Sequence, residues 1–528
     1  MEKDTTETKK GFKRFEKFLK LVERGGNKLP HPLIMFTVLA LFILVLSFFL
    51  SKTDISVTYT AASRSAEDGV QETTVGIVNL LSKENLQSFT TGFVNTYVRF
   101  FPVGLVIMMT LGIAVAEQSG LISALMKKLV MGAPDYLVTF IVALVGVCAN
   151  IASDAGIVFA PAIGGAVFYA LGRHPVAGVI TGYVGAYGGF SANLLIAGTD
   201  VMLAGITESV TTSFGIDIPI HPLINWYVMI VSTLMVALVV TIVTEKVTIP
   251  LLGKFDPEDE EMLQSDPSEY DISENERRGL RATGIATLIF FAILALLMIP
   301  SNSFFRDEAG VLLPKSPFTD SILFILFSYF IIVGVVYGKV TNKIKSGADV
   351  AKYMQNGLIG VSGFLVVCVS ASVFIDWFGK SNIATVIAVK GAEVLQGFNV
   401  APIPLILMFV VLNAFINLFI TSGASKWLIL APIFVPMLYM MDVSPAAVQM
   451  AYRIGDSTTN IISPVSAYIP VVLGMIAKYK NKNQKVGIGT VLSLTLPYSI
   501  TLLICWIIFF GIWLILGLPM GPGTPAFI

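Results

Sequence analysis

"RIGDSTTNIISPVSAYIP", residues 453–470, sets an Arg, an Asp, a Ser, two Thr and an Asn inside a run whose flanks are almost wholly apolar. A charge at membrane depth costs at least about 2.5 kcal/mol, so such residues persist in a span only for a reason. The same question arises at "ANIASDAG" (149–156), "GGFSANLLIAGTD" (188–200) and "ITSGASKW" (420–427). Short polar interruptions at these four places imply broken helices lining a cavity, because irregular backbone at membrane depth survives only inside protein or beside water.

The rest of the chain supports a membrane setting. It has 528 residues with 55% hydrophobic and only 13% charged side chains, whereas a soluble domain carries roughly twice that charge. Formal net charge is zero, which offers no basic surface for nucleic acid. Cys148, Cys368 and Cys505 fall in apolar runs without paired spacing and read as small core residues, not disulfides or metal ligands. No Gly-rich phosphate loop, paired-His metal motif or nucleophile elbow occurs in a plausible context. The chain reads as no enzyme, and energy for any transport comes from an ion gradient.

Hydropathy places nine spans at roughly 32–50, 99–117, 175–206, 222–244, 280–300, 319–341, 355–375, 445–477 and 487–518. Segments 135–170 and 402–441 are too long for one crossing each, and each is interrupted midway. Both are expected to be hairpins that enter and leave on one side. With that arrangement the inside segments beyond residue 31 hold 14 Lys or Arg in 79 residues, against 7 in 120 outside. The bias predicts a cytoplasmic N-terminus and a periplasmic C-terminus. Residues 1–31 carry nine Lys or Arg and an amphipathic stretch, 12–22, expected to lie on the cytoplasmic leaflet. Segment 51–98 reads as a polar periplasmic loop. Segment 255–276, with ten Asp or Glu, reads as a solvated linker within the cytoplasmic stretch 245–279.

The two interrupted regions resemble each other. "FAPAIGGAVFYALGRHPVAG" (159–178) followed by "FSANLL" (190–195) parallels "LAPIFVPMLYMMDVSPAAV" (430–448) followed by "STTNII" (457–462). Each copy, 99–206 and 355–477, reads as span, surface helix, hairpin, broken span. The stretch between them, 207–354, supplies scaffold spans, and 478–528 a loop and the last span. Three crossings separate the copies, so the second is expected to be inverted. The fold class is therefore an all-α polytopic membrane protein with inverted repeats, nine transmembrane helices and two re-entrant hairpins. Such repeats mark secondary transporters whose sites form where hairpin tips meet broken spans. On this reading "GDSTTN" (455–460) is unwound.

The buried ionisable set is Asp154, Asp200, Lys426, Arg453 and Asp456. Asn150, Ser153, Asn193 and the carbonyls near Gly198 suit one hard-cation cage; Thr421, Ser422, Asp456 and Asn460 suit its mate. Hydroxyl, amide and carbonyl oxygens fit a weakly held Na⁺. Helix capping is the competing explanation. Arg453 and Asp456 stand at i, i+3 and can pair on one helix face. Asp200 lacks an Arg in the matching register, which favours protonation or a cation partner. Trp427 follows the second tip, where its ring could stack on a flat substrate, although an interfacial belt is the commoner place for Trp. His31, His174 and His221 each precede a Pro, which helix initiation explains without a proton relay.

These stretches, above all "ANIASDAGIVFAPAIGGAVFYALGRHP" (149–175), "GTDVMLAGITESV" (198–210) and "YRIGDSTTNIISP" (452–464), resemble the AbgT family of p-aminobenzoyl-glutamate transporters. The resemblance implies a homodimer in the bacterial inner membrane. It implies transport of p-aminobenzoyl-glutamate or related folate-pathway aromatic carboxylates, with sulfonamide efflux in some members. Asp200, Trp427, Pro445, Arg453, Asp456 and Pro464 match positions that the family pattern marks as sensitive, and Ser425, in the run that carries the resemblance, joins them as a candidate for substrate binding or transport. No cofactor is implied beyond Na⁺ or H⁺ as coupling ion. A dicarboxylate or citrate symporter of similar architecture is the alternative substrate class.

Overall fold

The computed structural model describes residues 30–62, 70–256, 272–300, 302–398, 400–481 and 486–528. The amphipathic stretch at 12–22 and most of the acidic linker lie outside the described residues. The chain opens with α1, Pro32–Leu50, whose start is fixed by Pro at its first turn and by His31 Nδ1, which accepts from the Leu33 amide at 3.3 Å. The polar segment read as a loop is largely regular. Strands β1 (Ser56–Ala62) and β2 (Val70–Gly76) pair antiparallel, and helix α2 (Lys83–Val98) follows. β-Branched and aromatic residues such as Val57, Thr58 and Tyr59 opposite Val75, Thr74 and Thr73 supply the pairing that a reading for hydropathy passes over.

Two successions of elements then repeat. The first is α3 (Phe101–Gln118), α4 (Leu121–Met131), α5 (Val138–Cys148), α6 (Ser153–Ala170), α7 (Pro175–Tyr183) and, after an interruption, α8 (Gly198–Ser213). Between the copies lie α9 (Trp226–Val243), α10 (Glu274–Met298) and α11 (Ile322–Val340). The second succession is α12 (Gly347–Lys380), α13 (Ile383–Gly397), α14 (Pro402–Asn417), α15 (Gly423–Tyr439), α16 (Pro445–Asn460) and, after an interruption, α17 (Ile469–Lys478); α18 (Ile488–Ile515) ends the helices. The surface helix meets the first hairpin arm at 116° in one copy and 118° in the other, so the copies match in shape as well as order.

Among the described residues seven helices are long and apolar enough to cross a bilayer, Pro32–Leu50, Lys83–Gln118, Trp226–Leu252, Glu274–Met298, Ile322–Val340, Gly347–Lys380 and Ile488–Ile515. The other two expected spans are the interrupted ones. In the first copy the helical path stops at Gly188 and resumes at Gly198, as expected. In the second, "GDSTTN" is not unwound: α16 runs through Asn460, and the interruption is 461–468. Ser457, Thr458 and Thr459 donate back to the carbonyls of Arg453, Ile454 and Gly455, so their hydroxyls are satisfied within a helix. Pro464, lacking an amide hydrogen, falls in the break.

Packing divides the helices into two groups. Helices α1, α3, α10, α11 and α12 pack on one another, while the hairpins, the interrupted helices, α9 and α18 form the other group. The stretch 207–354, grouped above as scaffold, is thus split: α9 packs on α5 and α18, whereas α10 and α11 join α3. Contact between the groups runs largely through α3 against α8. Inside the second group α6 and α7 meet backbone to backbone. A Cβ on Gly164 would lie 2.2 Å from the Gly178 oxygen, and one on Gly178 would lie 2.1 Å from that of Gly164. Small residues of this kind permit the close approach that packing in a bilayer rewards. On the outer side of α10 the apolar Leu288 and Leu296 are 73% and 69% exposed, a surface suited to lipid.

Candidate functional site

The site forms where α15, α16 and α8 converge. Ser422 caps α15 by accepting from the Ser425 amide, and the tip it closes sends Lys426 and Trp427 inward. Pro445 occupies the first turn of α16, with Ser444 Oγ accepting from the Ala447 amide at 3.2 Å. Every residue of α16 is buried, including Arg453, Asp456 and Asn460. Helix α16 packs along α14, where Gly455 makes room: a Cβ there would sit 2.5 Å from the Val410 carbonyl oxygen.

Two ion pairs join these elements, and neither is the one read from spacing. Arg453 donates to Asp200 Oδ1 at 2.5 Å, and Lys426 Nζ donates to Asp456 Oδ1 at 2.7 Å. The expected Arg453–Asp456 pair is therefore corrected, as is the expectation that Asp200 lacks an arginine. The partner comes from the other copy, 253 residues away, which no register within one repeat reveals. All four side chains are at most 7% exposed. Asp200 has a second role, since its Oδ2 accepts from the Ala197 amide at 2.6 Å at the start of α8. A carboxylate at a helix N-terminus is also favoured by the helix dipole.

Amide side chains complete the site. Asn417 Oδ1 accepts from Lys426 at 2.6 Å, while its amide nitrogen donates to the Asp456 carbonyl, Thr459 Oγ1 and Asn460 Oδ1. Asn413 donates to the Tyr452 carbonyl. Trp427 is fully buried; its ring lies 4.5 Å from that of Tyr452 and its Nε1 donates to Thr207 at 3.0 Å. From Thr207 the chain of bonds passes to Gln449, Asn225 and the Ala446 carbonyl. Asn413, Asn417, Thr207, Gln449 and Asn225 were not singled out from sequence. The signal for two of them was present, because Asn413 and Asn417 stand i, i+4 in an apolar arm.

The first copy is less closed. Asn150, in the tip between α5 and α6, donates to the Gly189 carbonyl at 3.4 Å, so tip and interruption touch. Its Oδ1 and Asn193 Nδ2 are buried without a hydrogen-bond partner among the described residues. Ser191 Oγ donates to the Arg453 carbonyl at 2.7 Å, tying this interruption to α16. Gly198 does not present a free carbonyl as expected. It begins α8, where the carbonyl turns into the helix and the amide is the group left free. The side chains of Ser153 and Asp154 lie outside the description.

In the second copy Thr421 is half-buried and Ser422 exposed in the tip, and Ser422 Oγ donates to Ser425 Oγ at 2.9 Å. Asn460 faces Asn417, and Pro464 sits in the interruption. In the first set Asn150 Oδ1 is thus left to accept a further donor or a cation. In the second, Ser422 Oγ, Asp456 Oδ1 and Asn460 Oδ1 accept from protein donors.

Other polar groups lie away from this site. Arg173 donates to Glu245 at 2.5 Å and to Thr139 at 2.8 Å, and Thr139 in turn donates to Glu245. Burial holds His174 down to about 4. A cavity of about 620 Å³ lies beside the far end of α8, lined by Glu208, Thr211, His221 and Lys315 among others.

Comparison with known proteins agrees with this arrangement. The p-aminobenzoyl-glutamate transport protein of Escherichia coli is 35% identical over 502 residues, 95% of either chain. The YdaH transporter of Alcanivorax borkumensis superposes with a TM-score of 0.83 at 36% identity, covering 93% of this chain and 100% of that one. MtrF of Neisseria gonorrhoeae, reported as illuminating a class of antimetabolite efflux pumps, superposes with a TM-score of 0.89 at 37% identity over 96% and 100%. A family model spans residues 17–528, and with these relatives it shows that the chain belongs to the AbgT putative transporter family, as a multi-pass membrane protein.

Proposed function

We propose that the chain is a secondary active transporter of p-aminobenzoyl-glutamate or related folate-pathway aromatic carboxylates, with sulfonamides as further cargo, driven by a Na⁺ or H⁺ gradient. It would work as a homodimer in a bacterial inner membrane, N-terminus cytoplasmic and C-terminus periplasmic, its two copies inverted. The observation that carries the reading is the pair of buried ion pairs, Asp200–Arg453 joining the two copies and Lys426–Asp456 joining the hairpin and the interrupted helix of the second. The similarity to a p-aminobenzoyl-glutamate transport protein supports the substrate.

The arrangement suggests how ion and substrate are linked. A carboxylate of the substrate competes with Asp200 or Asp456 for Arg453 or Lys426. An aspartate released in that way stays buried only if a cation or proton neutralises it, because an uncompensated buried charge is costly. Trp427 is sealed against Tyr452, so it reaches substrate only after α15 separates from α16. The test is accumulation of labelled p-aminobenzoyl-glutamate in proteoliposomes under a Na⁺ gradient or a pH gradient imposed separately, with wild type and Asp456→Asn. Accumulation under one gradient, abolished by the substitution, is expected. Transport of a dicarboxylate or a sulfonamide in its place would overturn the substrate.

A further inference from the structure

The two copies are not chemically equivalent at the hairpin tips. Lys426 stands five residues before the Ala431-Pro432 pair, and Ala155 stands five before the matching Ala160-Pro161. The second copy thus places an ammonium where the first has a methyl group. That ammonium is wholly buried and bonded to one amide oxygen, Asn417 Oδ1 at 2.6 Å, and one carboxylate oxygen, Asp456 Oδ1 at 2.7 Å. It also lies 5.1 Å from the Tyr452 ring centre. Amide and carboxylate oxygens at such a point are the donors that hold a small hard cation, and a lysine ammonium is a compact single positive charge. In the first copy Ala155 and Gly198 border a cavity of about 210 Å³, and Asn150 Oδ1 lacks a donor among the described residues.

We infer that Lys426 is the resident cation of the second half of the site: its ammonium fills the position a sodium ion would take, so Asp456 binds no sodium while the lysine is in place. This rests on the transporter reading and deepens it, because it assigns cation selectivity to one residue. It also distinguishes the two halves, since in the first Asn150 Oδ1 has no donor among the described residues, whereas in the second Asp456 Oδ1 and Asn417 Oδ1 both accept from Lys426. Shortening the side chain leaves Asp456 and Asn417 facing the space the ammonium occupied, a buried anionic pocket that recruits a cation from solution.

The experiment measures radioactive sodium bound per protomer of the purified full-length protein, and its thermal melting in Na⁺ against choline at equal ionic strength. Lys426→Ala is expected to bind one sodium more than wild type and to melt higher in Na⁺, and Lys426→Ala/Asp456→Asn to lose both gains. A folded Lys426→Ala that gains no sodium overturns the inference. Should Lys426→Ala fail to fold, the uncharged pair Lys426→Met/Asp456→Asn decides, since replacing both members of a buried pair is commonly tolerated. Equal sodium in that variant and wild type is expected, and a lower amount in the variant shows that Asp456 holds sodium beside the lysine and overturns the inference. Binding is read without substrate. A protein with this sodium pattern that fails to move p-aminobenzoyl-glutamate contradicts the substrate reading alone.

Discussion

Asp200 shows how one side chain can serve local structure and long-range assembly together. It accepts from the Ala197 amide and from Arg453, so its removal strands both a helix start and a buried guanidinium. Asp200→Asn is expected to lower stability by about 3–5 kcal/mol, the usual consequence of breaking a buried pair from one side. Asp200→Asn/Arg453→Gln should recover much of that loss. Thermal melting of the single and double variants checks this, and strictly additive losses would sink it. These residues were legible as buried charges from their place in apolar runs, whereas their partners were not, because spacing reports neighbours on one helix while Arg453 pairs across the two copies and Lys426 pairs with another helix of its own copy. His174 gives a residue-scale prediction for pH. Its ring nitrogens have no partner among the described residues, and burial holds it down to about 4 against an ordinary 6.5. Between those values the unfolded chain binds the proton and the native one does not, so stability falls as pH drops from about 6.5 to 4 and is fully present above. His174→Phe, which can pack on Phe255 at 5.2 Å, should flatten that limb of the melting-temperature profile; an unchanged slope counts against it.

Among elements, the interruptions decide what can move. Their existence was legible from polar residues in apolar runs, but the second was placed one stretch too early. Ser and Thr in "GDSTTN" look like helix breakers by composition, yet their hydroxyls bond the preceding turn, and the break waits for the stretch that holds Pro464. Likewise Gly198 looked like an unwound carbonyl and proved a helix start. Pro464→Ala restores the missing amide hydrogen and removes the steric bar to continued helix. It is expected to leave expression and folding intact while lowering the rate of substrate accumulation about tenfold or more, a barrier change of roughly 1.4 kcal/mol. Initial rates in proteoliposomes check this, and unchanged rates would show that the break is not needed for turnover. The Arg173–Glu245–Thr139 cluster fastens the start of α5 to the segment after α9.

For the whole molecule, the division into two packed groups is the feature that sequence could least reveal. Hydropathy orders the spans but does not say that α9 leaves its neighbours α10 and α11 to join the hairpins. The division gives a reason to expect the hairpin group to move against α1, α3, α10, α11 and α12, with contact largely through α3 and α8. In the conformation described, Lys426 and Trp427 are sealed while Ser422, a few residues earlier in the same tip, is exposed. Ser422 is therefore the accessible margin of a tip whose Lys426 and Trp427 are sealed. A cysteine at Ser422, in a background where Cys148, Cys368 and Cys505 are replaced, should react with a membrane-impermeant thiol reagent at a rate that depends on ligands. Addition of the coupling ion or of p-aminobenzoyl-glutamate is expected to change that rate about tenfold, because differential binding to two conformations shifts their populations by its own free energy. A rate indifferent to both would mean that the tip does not take part in alternating access. Reaction from both sides of the membrane at once, accompanied by unitary currents, would mean a continuous pore, and the two half-sites would then line a channel rather than a carrier.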